Sequence, residues 1–204
     1  MYAKCLKRVT DFSLSALALL ILSPLLLVLT VVGAWQMKGN PFFTQLRPGK
    51  DEKIFKLYKF RTMTDEKDAN GNLLPDDIRL TKFGRLLRST SLDELPELVN
   101  ILLGQMSIVG PRPALWNQFD LVEEREKYGA HQVRPGLTGW AQINGRDELP
   151  IDVKARLDGQ YVERLSFLFD CKCFFGTILA VLRRDGVVEG GTGAMMDEKD
   201  KVSK

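Results

Sequence analysis

The sequence predicts a mixed α/β protein, mostly helical: a compact domain with amphipathic helices, preceded by an apolar N-terminal segment. Three observations predict it. Phe12 to Trp35 run for 24 residues without a charge. Two short stretches, 42–45 and 54–63, read as strands. From Arg79 onward, apolar residues recur at helical spacing, and they do so again through much of 153–184. With 45% hydrophobic and 27% charged residues in 204 positions, the chain can bury a real core and is not disordered. The net charge of +3 is too small to indicate a nucleic-acid binder. Three cysteines and one histidine exclude a disulfide framework and a zinc site, and fit a reducing compartment.

The apolar run would cover ~36 Å as a straight helix, enough to cross a bilayer core. A cleavable signal peptide is disfavoured by its length and the absence of a small-residue cleavage site after it. A spanning helix and a re-entrant one remain. Ser23-Pro24 lies near the middle, where proline removes a helical hydrogen bond, so a break is expected there. Lys4, Lys7 and Arg8 precede the run while Lys38, Arg47 and Lys50 follow it, so basic residues give no inside and outside. Two arms of ~12 residues, each reaching ~18 Å, fit a hairpin dipping into one leaflet. The expected organisation is a membrane segment at 1–36, a domain at 37–186 and a partly disordered tail at 187–204.

Within the domain, Arg47-Pro48-Gly49-Lys50 is a turn between the two strands, the second of which carries Lys59 and Arg61. Residues 65–77 form an acidic surface loop. Leu80, Phe83, Leu86 and Leu87 give a helix its apolar face, with Arg79, Lys82, Arg85 and Arg88 on the others. Ser91, followed three residues later by Glu94, has the spacing of a capping box, which places Asp93 and Glu94 in a helical first turn where carboxylates are favoured. Pro96 sits too deep for such a cap and predicts a distorted first turn around the acidic pair. From spacing alone, the better explanation of two acids there is as dipole complements, ahead of a nucleophile beside a metal ligand. Gly104 closes the helix.

Gly110-Pro111-Arg112-Pro113 fixes an arginine between two prolines, which suits a guanidinium that must meet a planar or phosphate partner. An amphipathic helix is expected over 115–128. Residues 133–146, punctuated by Gly and Pro, read as a ligand-shaped loop carrying Arg134 and Arg146. The stretch 153–184 reads as long and largely helical, packing on the domain or lying at a membrane interface.

Five segments occur in order: the apolar run with Ser23-Pro24, Lys59-Phe60-Arg61-Thr62-Met63, Ser91-Leu92-Asp93-Glu94-Leu95-Pro96, Gly110-Pro111-Arg112-Pro113 and Arg134-Pro135-Gly136-Leu137-Thr138-Gly139-Trp140. In that order they resemble the bacterial sugar transferases, the monotopic phosphoglycosyl transferases, over about Lys7 to Asp185. The resemblance implies transfer of a sugar 1-phosphate from a UDP-sugar to undecaprenyl phosphate, with release of UMP. It implies Asp93 as the nucleophile that becomes covalently linked to the phosphosugar, and Glu94 as part of a magnesium site. Arg88, Arg112 and Arg146 are candidate phosphate and nucleotide contacts, and Lys59 and Arg61 either join them or hold the carboxylates. The same resemblance implies that the Ser23-Pro24 segment enters and leaves on the cytoplasmic face of the inner membrane, among membrane lipid, with downstream glycosyltransferases as possible partners. Likeness to the short members, including the Glu189-Gly190 region, leans toward an N-acetylated amino sugar such as di-N-acetylbacillosamine. The competing readings are an inactive membrane-anchored scaffold and a nucleotide-sugar hydrolase.

Overall fold

Phe42 lies opposite Phe60 and Pro48 opposite Ile54 in an antiparallel hairpin made by β1 (Phe42–Pro48) and β2 (Ile54–Phe60). The computed structural model that contains it describes residues 2–145 and 149–183. Arg146 and the expected tail at 187–204 lie outside the described residues. Helices make up most of the rest: α1 (Lys7–Gln36), α2 (Asp76–Arg79), α3 (Lys82–Ser89), α4 (Glu97–Leu102), α5 (Phe119–Glu126), α6 (Trp140–Ile143), α7 (Ile151–Glu163) and α8 (Phe167–Arg183). The mixed, mostly helical class is therefore as expected.

Alternation on β2 buries Phe55 and Leu57 against Leu98, Ile101 and Met106. The outer edge of β2 is completed by a side chain. Asn100 is fully buried; its Oδ1 accepts from Tyr58 N (3.0 Å), and its Nδ2 donates to Lys56 O and Gln105 Oε1 (2.7 Å each). Strand-edge groups that would otherwise lack partners are satisfied, and α4 is fixed in register beside β2.

The stretch 133–146 is not the ligand loop its punctuation predicted. Gly136–Thr138 forms β4, paired in parallel with β3 (Ser107–Val109) and buried at Gly136 and Thr138. Backbone packs on backbone here. A Cβ at Gly136 would come within 2.1 Å of Gly110 N, and one at Gly139 within 2.0 Å of Gly110 O. Glycine is needed for that approach, not for looseness. The C-terminal third is largely helical, as expected, in two helices: α7 ends at Glu163, and α8 begins at Phe167. Tyr161 and Cys173 bury against Val109 beneath them.

The expected break at Ser23-Pro24 is not seen: α1 is assigned as one 30-residue helix with Pro24 inside it. Pro24 has no N–H to give the Leu20 carbonyl, but Ser23 Oγ donates to that oxygen at 2.8 Å. The hydroxyl supplies the bond that the proline removes.

A stripe of α1 is packed along the domain on both sides of Pro24. Ser15 is buried; Ala18, Leu19 and Leu22 pack on the core beneath Phe55, and Leu26 and Leu29 pack with Phe60 and Leu87. Near its first turns the charges expected to flank a membrane segment belong to the fold. Lys7 pairs with Asp170 (2.6 Å), and Asp11 accepts from Ser107 Oγ (2.7 Å) and Ile108 N (3.1 Å). Arg8 donates to the Ile101 and Leu102 carbonyls at 2.6 and 2.8 Å, a cation on the C-terminal end of α4. At the far end Gly33 lies against Pro41 and Phe83. The opposite face leaves Phe12, Leu17, Leu20, Ile21, Leu27, Val31 and Trp35 exposed. By length and composition, α1 could cross a membrane.

Candidate active site

Asp93 and Glu94 lie in a single 3-10 turn (Leu92–Glu94) between α3 and α4. The distorted first turn expected from Pro96 is present, but the capping box is not. Ser91 adopts the left-handed conformation (φ 55°, ψ 20°), and its side chain makes no cap bond. The α-helix proper starts only after Pro96, which stands at the N-cap. The Leu92 carbonyl, denied a partner at Pro96, accepts from Leu95 N at 3.3 Å instead. A left-handed non-glycine residue two positions before the acidic pair marks a strained corner.

Lys59 reaches this corner from the end of β2. Its Nζ lies 2.8 Å from Glu94 Oε1 and 3.2 Å from Glu97 Oε1. Arg112 Nη2 meets the same Glu94 oxygen at 2.7 Å, so both cations converge on Oε1. Burial opposes charge on Glu94, yet Arg112 and Lys59 outweigh it and hold this carboxyl far below the usual range. Lys59 shows the counterpart: burial disfavours its charge, but Glu94 and Glu97 raise its pKa above the ordinary lysine value.

Asp93 responds in the opposite direction. Burial and the neighbouring charge of Glu94 push it up to about 6, against the pull of Lys59, Arg112 and Arg88. Glu97, 2% exposed, is pushed up to about 7, by burial first and then by Glu94. Adjacent carboxylates thus differ: Glu94 is a fixed anion, while Asp93 is a poised, more basic one. That is a separation of roles within one turn.

Among the sequence candidates, Asp93, Glu94, Lys59 and Arg112 are brought together. Arg88 stands at the edge, where its charge reaches Asp93 while its Nε donates to Thr62 Oγ1 at 3.1 Å. Its helix is held close by Gly84, where a Cβ would fall 2.0 Å from the Thr62 carbonyl. Arg61 is not part of the site; it pairs with Asp65 at 2.7 Å, outside the cluster. Arg146 lies outside the described residues. Sequence reasoning missed Glu97, although its spacing of three from Glu94 puts both on one helical face. It treated Arg47 only as a turn cation, whereas its charge reaches Arg112, Glu94 and Glu97. Parity along β2 would have placed Lys59 on the inward face of Phe55 and Leu57.

Among the described residues, no group of three or more His, Cys, Asp or Glu side chains is arranged to hold a metal. Magnesium does not need one, because it takes one or two carboxylates and completes its shell with water and substrate phosphate. Asp93, together with Oε2 of Glu94, which lies outside the Lys59 and Arg112 bonds, is a donor set of that kind.

The chain belongs to the bacterial sugar transferase family, whose pattern it matches over residues 2–184. A sugar transferase of Bacillus subtilis described as uncharacterised, EpsL, is 48% identical over 183 residues, covering 89% of this chain and 90% of that protein. The exopolysaccharide production protein PSS of Rhizobium leguminosarum bv. phaseoli is 41% identical, covering 88% of this chain and 96% of its own length. A UDP-glucose:undecaprenyl-phosphate glucose-1-phosphate transferase of Klebsiella pneumoniae is also 41% identical over 84% of this chain, which corresponds to only 39% of that longer protein.

Proposed function

We propose that this chain transfers a sugar 1-phosphate from a UDP-sugar to undecaprenyl phosphate at the cytoplasmic face of a bacterial inner membrane. The observation that carries the reading is the split pair: Asp93 raised toward basicity beside Glu94, which Lys59 and Arg112 keep ionised. The activity named for the Klebsiella relative supports the reaction class.

In the first half-reaction a carboxylate oxygen of Asp93 attacks the sugar-bearing phosphorus. The bond from that phosphorus to the bridging oxygen breaks, and UMP leaves with the electron pair. In the second, a phosphate oxygen of undecaprenyl phosphate attacks the same phosphorus and displaces Asp93, which returns to a carboxylate. No proton is gained or lost by the side chain, so a basic, unprotonated Asp93 is what the chemistry requires. Arg112 and Arg88 stand where their charge favours a diphosphate beside Asp93. Lys59 holds Glu94 in place. A magnesium ion on Glu94 and Asp93 would neutralise the diphosphate and orient it for in-line attack.

The membrane attachment follows from α1. Both of its ends contact one domain, through Arg8 and Asp11 at one and Gly33 at the other. That supports a monotopic placement, with α1 lying along the membrane face, its exposed apolar side in the lipid and both flanks on the cytoplasmic side. The lipid acceptor then arrives at the level of the site. For the donor sugar, the named relative takes glucose, while the sequence leans toward an N-acetylated amino sugar used in glycoconjugate assembly.

The test is turnover of purified protein with undecaprenyl phosphate and a panel containing UDP-glucose and UDP-N-acetylated amino sugars. Acceptor-dependent formation of a diphosphate-linked sugar with release of UMP is expected for one donor. Sugar phosphate released without acceptor would establish a hydrolase, and no reaction with any donor would favour a scaffold.

A further inference from the structure

Arg112 faces two ways. It bonds Glu94 on one side, and it lines a cleft whose other walls include Pro48, Pro111, Pro113, His131 and Pro135. The cleft is half open: about 400 Å³ of unfilled space lies in and above it, solvent included, of which about 40 Å³ is room for the centre of a water-sized sphere. Four prolines give flat, apolar surfaces, and the polar groups among them are few, as in small-molecule sites.

Two polar groups, one in the cleft wall and one next to it in the chain, are incomplete. His131 Nδ1 is buried and has no hydrogen-bond partner among the described residues. Arg47, at the strand end that leads into the cleft wall, donates to Pro113 O (3.1 Å) and Gln45 Oε1 (2.7 Å), while its Nε is buried without a partner. Among the described residues Arg47 makes no ion pair. Burial and the nearby charge of Arg112 lower its pKa to about 10, so it remains a cation at neutral pH. Two neighbouring guanidiniums, only one of them facing a carboxylate, favour an anion between them. Buried polar atoms without partners are rare unless something else supplies the bond.

We propose that this cleft binds the nucleoside monophosphate half of the donor: a phosphate at Arg47 and Arg112, and the flat base among the prolines with its edge at His131. The inference rests on the donor being a nucleotide sugar, as read above. It explains how the sugar-bearing phosphorus is presented to Asp93. Arg112 is common to both sites, so a diphosphate held there has its nucleoside in the cleft and its sugar end at the acidic pair. Glu52, also on the cleft rim, is a suitable acceptor for ribose hydroxyls. The same binding would make the nucleoside monophosphate product a competitive inhibitor against the nucleotide sugar.

The experiment is photo-crosslinking of the full-length protein in detergent with 4-thiouridine 5′-monophosphate, followed by peptide mapping. It is paired with UMP affinity and steady-state kinetics for Arg47→Gln, Arg47→Lys and His131→Phe. Adducts within 111–114 or 130–135, competed by UMP, are expected. Arg47→Gln should weaken UMP binding and raise KM for the nucleotide sugar tenfold or more, with KM for undecaprenyl phosphate unchanged and Arg47→Lys intermediate. Adducts confined to other peptides, no UMP-competed adduct, or a UMP affinity within twofold of wild type in folded Arg47→Gln would overturn the proposal. The mapping uses wild-type protein, so a misfolded variant does not blunt it. Nucleotide bound in the cleft by a protein that never transfers sugar phosphate would remove the proposed reaction and leave the cleft. Turnover with adducts mapped elsewhere would do the reverse.

Discussion

Glu97 shares the ammonium of Lys59 with Glu94, at 3.2 Å against 2.8 Å, so that one cation ties two carboxylates of different character into the same corner. Glu94 is doubly compensated because Arg112 also holds it. Among the described residues Glu97 pairs directly with Lys59 only, and burial outweighs the pull of Lys59 and Arg112, so it ionises reluctantly.

Lys59 should therefore be the least replaceable of the supporting residues. Lys59→Met leaves two buried acids facing each other with Arg112 as the remaining cation. A buried pair broken on one side costs about 3–5 kcal/mol. A loss near the lower end is expected in denaturant unfolding, together with a fall in kcat of roughly 10²-fold as Glu94 loses its position. A variant of wild-type stability and turnover would show that the pairing matters little.

Glu97→Gln should be tolerated, and it should change how stability depends on pH. The folded-state pKa of Glu97, about 7, lies above its unfolded value near 4.5. The folded state therefore holds more protons across that window, and this group makes stability fall as pH rises from about 4.5 to 7. Glu97→Gln removes the contribution, so its melting temperature should decline less over that range than that of wild type. Parallel profiles for the two proteins would contradict the assignment.

The catalytic profile should carry the mark of Asp93. With its pKa raised to about 6, the nucleophile is half protonated there, well above ordinary aspartate. kcat/KM for the nucleotide sugar should fall as pH drops below about 6, with the inflection displaced downward by saturating magnesium, which favours the anion. A flat profile down to pH 5 in low magnesium would argue against an unpaired, desolvated Asp93.

Much of this corner was legible in the sequence. Pro96 announced a distorted turn, and the order of five segments pointed to the family. The rest was hidden for physical reasons. A capping box is only a spacing, and Ser91 meets it while its backbone turns left-handed. The β3–β4 pair has three residues per strand and is packed through Gly110, Gly136 and Gly139, so no apolar periodicity betrays it. Arg47 and Glu97 acquire meaning only from neighbours distant in sequence. At Ser23-Pro24 the proline was read correctly as the loss of a hydrogen bond, but the serine beside it, which replaces that bond, was not.

The placement of α1 is testable with thiols. Cys5 is exposed just before the helix, and Lys38→Cys would add an exposed thiol just after it. With Cys171 changed to Ser, both should be labelled by an impermeant maleimide only from the cytoplasmic side of oriented vesicles. Labelling from opposite sides would mean a spanning helix. Cys173 should stay silent in the folded protein, because it is fully buried and burial, with Asp170, pushes its thiol up to about 12.

Asn100 offers a purely structural control. Asn100→Leu leaves the Tyr58 N–H and the Lys56 carbonyl without their partner, a loss of roughly 2–3 kcal/mol. Its folded fraction should nevertheless retain the acidic pair and form the same products, as measured by specific activity corrected for folded protein.

The most direct test of the central claim is intact-protein mass spectrometry after incubation with a turned-over UDP-sugar and magnesium in the absence of undecaprenyl phosphate. The account predicts an added mass equal to one sugar phosphate, mapped to the peptide containing Asp93. It should be discharged by undecaprenyl phosphate and absent from Asp93→Asn. Rapid transfer to the lipid without any such adduct, or an adduct that persists in Asp93→Asn, would contradict it.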